Sequence, residues 1–524
     1  MKLRTIVKIA ITSSVVLLCS GFALYSFFRL SAAEGQKDFN LYELVPSTTS
    51  AVFVTDDVLE FVAEVDELTC SKNQQYLYVS KLFSYLKQSL YALSEDTPHG
   101  LSRQMNQMLI SFHEPDNERN QVLYCRLGNG DKELVNRFVR KYISSLYPPK
   151  TFIYKGEEII IYPMADGDFL ACYLTSDFMA LSFQKKLIEN VIDAYKSGKS
   201  LADDSTFTGI RAPKKSAAAA TIYTRMQGMM GWTEFDMKMK DDFIYFSGIT
   251  HDADTCFAFI NQLRQQQSVK GFPGEVLPST AFYFSRQGIT DWMSLLSYGN
   301  AQGQSVPART SEVQNRDKEF SRYLMENAGQ DLVACLFQRE DTLQGAAAVL
   351  SLSVADITEA ERMLRALVNA TPADEGRRNP RITFCYTVNK AYLIYRLPQT
   401  TLFEQLTSFV EPTLDVYAAF YGGRLLLAPD ADALAHYIRQ LDKGEVLNGA
   451  MAYQTGMDHL SDSYHFMLMA DFDHIFQQSE NHVRFVPDFF LRNADFFRHF
   501  TLFVQFACAD GMVYPNIVLK YKSE

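Results

Sequence analysis

Hydrophobic positions recur along this chain with two periods, and together they predict an α+β protein. Ala51 to Val54, Met108 to Phe112, Val122 to Leu127 and Phe178 to Phe183 are strand-like runs bounded by turn residues. Between them lie stretches with helical spacing. Val58, Leu59, Phe61, Val62 and Val65 follow Asp56, which reads as a helix cap. Leu134, Val135, Phe138, Val139, Tyr142 and Ile143 follow Asp131, and Lys185 to Tyr195 runs out at Ser197-Gly198. Ala217 to Thr224, Thr233 to Met239 and Phe243 to Ile249 then alternate like antiparallel strands.

The plan repeats. Leu44-Val45-Pro46-Ser47-Thr48, which leads into the first strand, returns as Val276-Leu277-Pro278-Ser279-Thr280, and Thr290-Asp291-Trp292 again opens a helix. After a shift of about 225 residues come Leu332 to Phe337, Ala346 to Leu352 and a helix after Asp356 with Ala360, Met363, Leu364 and Leu367. A shift of 246 carries Phe178 to Leu201 onto Arg424 to Leu447, with Gly198 and Gly444 each placed as a left-handed helix cap. Tyr464 to Ala470, Phe500 to Ala507 and Val513 to Tyr521 close the second copy as strands. The expected fold is therefore two copies of one α+β unit with antiparallel sheets, residues 45–275 and 276–524. Tyr298 to Asp317 reads as an exposed loop inside the second copy, and Pro372 to Pro380 as a smaller one.

One stretch carries neither period. Ile9 to Phe28 has no formal charge and, as a helix, would span roughly 30 Å, the thickness of a bilayer core. Lys2, Arg4 and Lys8 precede it, which by the positive-inside rule holds the N-terminus in the cytoplasm. An uncleaved single-pass anchor (residues 1–30, with a tether at 31–44) leads over cleavage near Ala33 and over lipidation at Cys19. Each reading puts the bulk outside the cytoplasm. The expectation is an inner-membrane protein, held through Ile9 to Phe28, whose bulk faces the periplasm or exterior.

Composition narrows the partners. The net charge is −11, and residues 1–30 hold Lys2, Arg4, Lys8 and Arg29 without an acid, so the remainder is more acidic still. Such a surface repels nucleic acid. Seven cysteines lie beyond the anchor, at 70, 125, 172, 256, 335, 385 and 508, without a CxxC pair, and read as small buried hydrophobes.

The order of anchor, tether, Pro-Ser-Thr turn into a strand, and Ile110-Ser111-Phe112-His113 resembles the bacterial domain-of-unknown-function family numbered thirty-three fifty-two. The resemblance implies an envelope location, and it supplies no activity and no site residues.

Candidate chemistry is sparse. Ser197-Gly198-Lys199-Ser200 looks like the tail of a phosphate loop, but Asp193 stands where a glycine is needed and a helix leads in, so a helix cap is favoured. Asp471-Phe472-Asp473-His474 offers three metal-ligand types, yet reads better as a strand end capping the next helix. His251-Asp252-Ala253-Asp254 is similar. There is no G-x-S-x-G elbow. Phe489, Phe490, Phe496, Phe497 and Phe500 read as a core-facing helix before an exposed partner patch. No catalytic, cofactor or metal residues are therefore assigned. The function expected is a non-enzymatic binding or scaffolding module with a possible envelope protein partner. The alternatives are an extracytoplasmic enzyme such as a hydrolase, and a carrier of lipid or hydrophobic ligand, the last favoured by 39 phenylalanines if many line a cavity. Oligomeric state is not legible.

Overall fold

In the computed structural model the described residues are 39–74, 105–113, 119–128, 131–138, 147–164, 167–211, 218–225, 231–250, 258–296, 310–339, 345–370, 381–388, 390–407, 413–477, 486 and 488–522. The first copy supplies β1 (Ala51–Thr55), β2 (Met108–Phe112), β3 (Gln121–Arg126), β4 (Lys150–Tyr154), β5 (Glu157–Pro163), β6 (Phe169–Leu174), β7 (Phe178–Ser182), β8 (Ala220–Thr224), β9 (Thr233–Lys240) and β10 (Phe243–Thr250). After a short β11 (Val269–Lys270) the second supplies β12 (Ala281–Gly288), β13 (Ala328–Gln338), β14 (Ala346–Val354), β15 (Ile382–Tyr386), β16 (Ala391–Arg396), β17 (Tyr417–Tyr421) and β18 (Arg424–Ala428). It closes with β19 (Ser463–Tyr464), which pairs with β11, then β20 (Phe466–Asp471), β21 (Phe500–Ala509) and β22 (Met512–Tyr521).

Spatial order exposes the repeat. The first ten strands run β4-β5-β6-β7-β3-β2-β1-β8-β9-β10. The second set runs β15-β16-β17-β18-β14-β13-β12-β20-β21-β22, every pairing again antiparallel. The turn before the first strand is latched alike in both copies. Pro46 bridges Ser200, and Pro278 bridges Val446. Leu201 N–H donates to the Val45 carbonyl at 2.7 Å, and Leu447 N–H to that of Leu277 at 2.9 Å.

The expected pair of separate α+β units is corrected at this point. β10 pairs antiparallel with β22, so the two sets merge into one 20-stranded sheet. Each copy would otherwise end in an edge strand with unsatisfied backbone groups, and the two edges satisfy each other. Ser247 and Asn516 occupy matching positions of the two copies and face each other in this joint, which places a pseudo-two-fold axis between them.

Helices cover both faces of the sheet. On one face lie α1 (Val58–Glu67) and α2 (Asp131–Phe138), with Phe61, Val62, Val65 and Val135 against Phe53, Ile110, Leu123 and Leu181. On the other lie α3 (Lys185–Ser197) and α4 (Ser205–Ile210), with Ile188, Val191, Ile192 and Phe207 against Leu109, Val122, Tyr124 and Ala180. The second copy repeats the arrangement. There α5 (Ser311–Asn327) and α6 (Ile357–Ala370) share the first face with Leu350 and Leu427, and α7 (Ala431–Asp442) and α8 (Met451–Met457) share the second with Val333 and Leu426. Because both faces are covered, central strands such as β7 are buried at every position and read as continuous apolar runs.

Three further expectations change. The single-pass membrane protein, with its inner-membrane location, is corrected: no helix among the described residues is long and apolar enough to cross a membrane. The helices seen are amphipathic, with one apolar stripe on the sheet and charge turned outward, as in α3 and α6. Ile9 to Phe28 lies outside the described residues. Within the stretch read as a loop at 298–317, residues from Ser311 onward belong to α5. Its apolar positions are widely spaced, and Asp317 is buried by partners that sequence does not reveal. The cap of α1 is Asp57, whose side chain accepts from Glu60 N–H at 2.9 Å, while Asp56 accepts from Gln107.

Candidate functional site

Each motif singled out in the sequence has a place in this frame. Gly198, at φ 62°, ends α3 in the left-handed region, and Ser200 and Asp203 form a capping box on the next turn. The phosphate-loop pattern is thus a cap, and Gly444, at φ 77°, fills the matching place. Asp471 ends β20 and caps the helix Phe472–Phe476, accepting from the backbone N–H groups of Asp473 and His474. Lys522 Nζ reaches the same carboxylate at 2.9 Å and His474 Nδ1 at 3.3 Å. Burial pushes the Asp471 carboxyl up, but His474 and Lys522 outweigh it and hold the group below its ordinary range. The hydrogen bond to Asp471 in turn raises His474. Among the described residues the carboxylate thus has four donors from this chain, the Asp473 and His474 N–H groups, Lys522 Nζ and His474 Nδ1.

The remaining motifs divide. Cys70, Cys125, Cys172, Cys335 and Cys385 are free and buried, and Cys508 is free and half-buried. Cys256 and His251 to Asp254 lie outside the described residues. Among the described residues no group of three or more His, Cys, Asp or Glu side chains is placed to hold a metal ion. Four of the five phenylalanines read between 489 and 500 face inward: Phe497 and Phe500 are buried, and Phe490 and Phe496 pack against the core shared with β1 and β10, while Phe489 is exposed.

Two polar clusters come together only in the fold. The first spans β2 and β3. Ser111 Oγ lies 2.9 Å from His113 Nε2 and 3.1 Å from Tyr124 Oη. Residues two apart on a strand share a face, so Ser111-Phe112-His113 sets serine beside imidazole, as in a nucleophile–base pair. Ser111 and Tyr124 are both wholly buried, however. Desolvation pushes His113 down to about 4, so its ring is neutral near pH 7. This serine has a base but no access for a substrate.

The second cluster joins β12, β13, β14 and β18. Asp331 accepts from Arg286 Nε at 3.0 Å and from Arg424 Nη1 at 3.3 Å. Arg424 also donates to Ser351 Oγ and to the Ser351 carbonyl, and Arg286 to the Gly271 carbonyl and Tyr464 Oη. Burial raises the Asp331 carboxyl, but Arg424, Ser353 and Arg286 together hold it below the usual range. Register brings these residues together from 45 and 93 positions apart, which no local motif could signal. Both arginines spend their donors on groups of the fold.

Neither cluster recurs in the other copy. By register Tyr124 stands where Ser351 does, and Phe178 where Arg424 does. The chain matches no family model, no curated protein and no solved structure.

Proposed function

We propose that this protein is a non-enzymatic binding or scaffolding module. The observation that carries the reading is the closure of its polar clusters: the acids and histidine that could act chemically are bonded within the fold or sealed from solvent. A long sheet with helices on both faces is a rigid frame for presenting surface. Its two ends each carry a group of exposed apolar side chains, Tyr147, Ile153 and Phe169 at one and Phe384, Tyr386 and Val388 at the other. Exposed apolar groups clustered in this way mark sites of contact.

The test has two arms. A photo-cross-linking residue placed at Phe169 in the producing cell is expected to give a discrete adduct with a second protein, whereas the same residue at charged Lys199 gives none. Full-length protein exposed to a serine-reactive fluorophosphonate is expected to stay unlabelled. Labelling at Ser111, with hydrolysis of simple esters lost in Ser111→Ala, would replace the scaffold by a hydrolase.

A further inference from the structure

The two ends of the sheet are matching edges with different surfaces. Following register outward from Leu181 and Leu427, Thr151 of β4 matches Ile382 of β15, and Ile153 matches Phe384. Two residues further on, Lys155 stands where Tyr386 stands. The neighbour of Ile153 across the ladder is Glu158, and that of Phe384 is Leu393. On the face that matches Ile382, Phe384 and Tyr386, the first edge therefore has a single apolar residue, Ile153, with Lys155 beyond it along the strand and Glu158 across the ladder. Lys155 is further tied to Asp193 at 2.6 Å, and Lys185 lies over Phe152. Lysines and carboxylates of this kind are how natural sheets keep an edge from pairing.

The second edge lacks them. From Ile382 to Asn389 the chain has no charge. Ile382, Phe384 and Tyr386 share one exposed face, with Phe384 57% and Tyr386 69% exposed and their rings stacked 6.1 Å apart. The strand is nonetheless fixed. Cys385, on its other face, is buried beneath α7, and Arg381 donates to the Val368 carbonyl at the end of α6. Among the described residues β15 pairs with β16 alone.

We infer that β15 is the dimerisation edge of this protein, pairing antiparallel with β15 of a second copy about a two-fold axis at Phe384. Three features select a second copy as the occupant. An isologous contact must be self-complementary, and this one is: Ile382 meets Tyr386 of the partner, Phe384 meets Phe384, and Arg381 falls opposite Thr387. No like charges meet, which matters for two copies of net charge −11. The molecule also already uses this joint once, where β10 and β22 pair about a pseudo-two-fold axis at Ser247 and Asn516. The charged β4 edge does not join in, so association closes at two copies and does not run on as a fibre. The inference stands apart from the scaffold reading, because self-association and capture of a partner fail separately.

Sedimentation of the full chain over a concentration series tests it. Wild type is expected to show a reversible monomer–dimer equilibrium. The variant Ile382→Thr/Phe384→Ile/Tyr386→Lys, which gives β15 the residues of β4, is expected to stay monomeric with an unchanged circular dichroism spectrum. A register test covers the case in which that variant folds poorly. Residues facing each other across a ladder lie about 4.5–5.5 Å apart at Cβ, so Phe384→Cys should oxidise to a covalent dimer and Ile382→Cys should not. A wild-type protein that remains monomeric throughout the series, or a Phe384→Cys that cross-links no faster than Ile382→Cys, overturns the inference.

Discussion

At the scale of single residues, stability is set by where charge is buried. His113 is held neutral because burial disfavours its protonated form, with its pKa pushed down to about 4. An unfolded histidine titrates near 6.5. Between these values the unfolded chain binds a proton that the folded one refuses, so stability falls as pH drops from about 6.5 to about 4. The contribution is about 3 kcal/mol, fully present above the upper value. Urea unfolding between pH 7 and pH 4 should reveal it, and His113→Gln should remove that part of the slope. An unchanged slope in the variant assigns the loss to other groups. Asp331 is the opposite case, a buried charge that is paired. Asp331→Ala strands two arginines and should cost about 3–5 kcal/mol, whereas Arg286→Met/Asp331→Leu/Arg424→Met should recover much of it. Denaturant midpoints decide, and a mild Asp331→Ala effect would mean that water reaches the cluster.

Elements show where sequence could be read and where it could not. Gly198 and Gly444 were legible, because a helix followed by glycine has one common explanation. Both have positive φ, and open space surrounds the position of an added Cβ at each. Gly198→Val and Gly444→Val should therefore each cost about 1 kcal/mol or more from backbone strain alone. Gly456→Ala should cost more for a different reason, since its Cβ would sit 2.3 Å from the Phe503 ring. Thermal melts of the three separate strain from collision, and a neutral Gly444→Val would disprove the cap. The central strands were legible because burial on both faces leaves an unbroken apolar run, as in Phe178 to Ser182. Of the outer strands, β6 and β15 show as short apolar runs around Cys172 and Cys385, whereas β4, β5, β16 and β17 do not stand out. Ile159 is buried while Glu157 and Glu158 beside it are not, so the pattern is short and its polar members resemble a loop. The start of α5 is hidden in the sequence because Asp317, which looks like surface charge, is sealed by Thr400 and Thr401 from 83 and 84 residues away. The two unread clusters fail on the same ground: register made them.

The whole molecule turns on how the halves are joined, and this yields the last prediction. Two copies of a unit are ordinarily two domains that unfold separately. Here β10–β22 makes the backbone continuous, and an insertion between β20 and β21 makes the core continuous as well. Residues 472–499 have a far shorter counterpart between β8 and β9, so the insertion breaks the symmetry. It spends that asymmetry on phenylalanine. Phe472 packs on Phe490 at 5.0 Å, Phe490 on Phe497 at 4.8 Å and Phe496 on Phe500 at 4.9 Å. Phe472, Phe497 and Phe500 belong to the core of Phe53, Phe61 and Ile244, while Phe476 and Phe490 also touch that of Phe320, Leu350 and Leu427. A wedge supplied by the second copy thus seals both cores at once. The two halves should then melt in one transition, with calorimetric and van 't Hoff enthalpies in agreement. Truncating a buried phenylalanine costs about 3–5 kcal/mol. Phe497→Ala should do more than lower the midpoint: it should divide the transition in two, because the cost falls on the coupling between halves and leaves each sheet intact. Two resolved transitions in wild type, or a single one surviving in Phe497→Ala and Phe472→Ala alike, would show that the strand joint alone carries the coupling and that the wedge is ordinary packing.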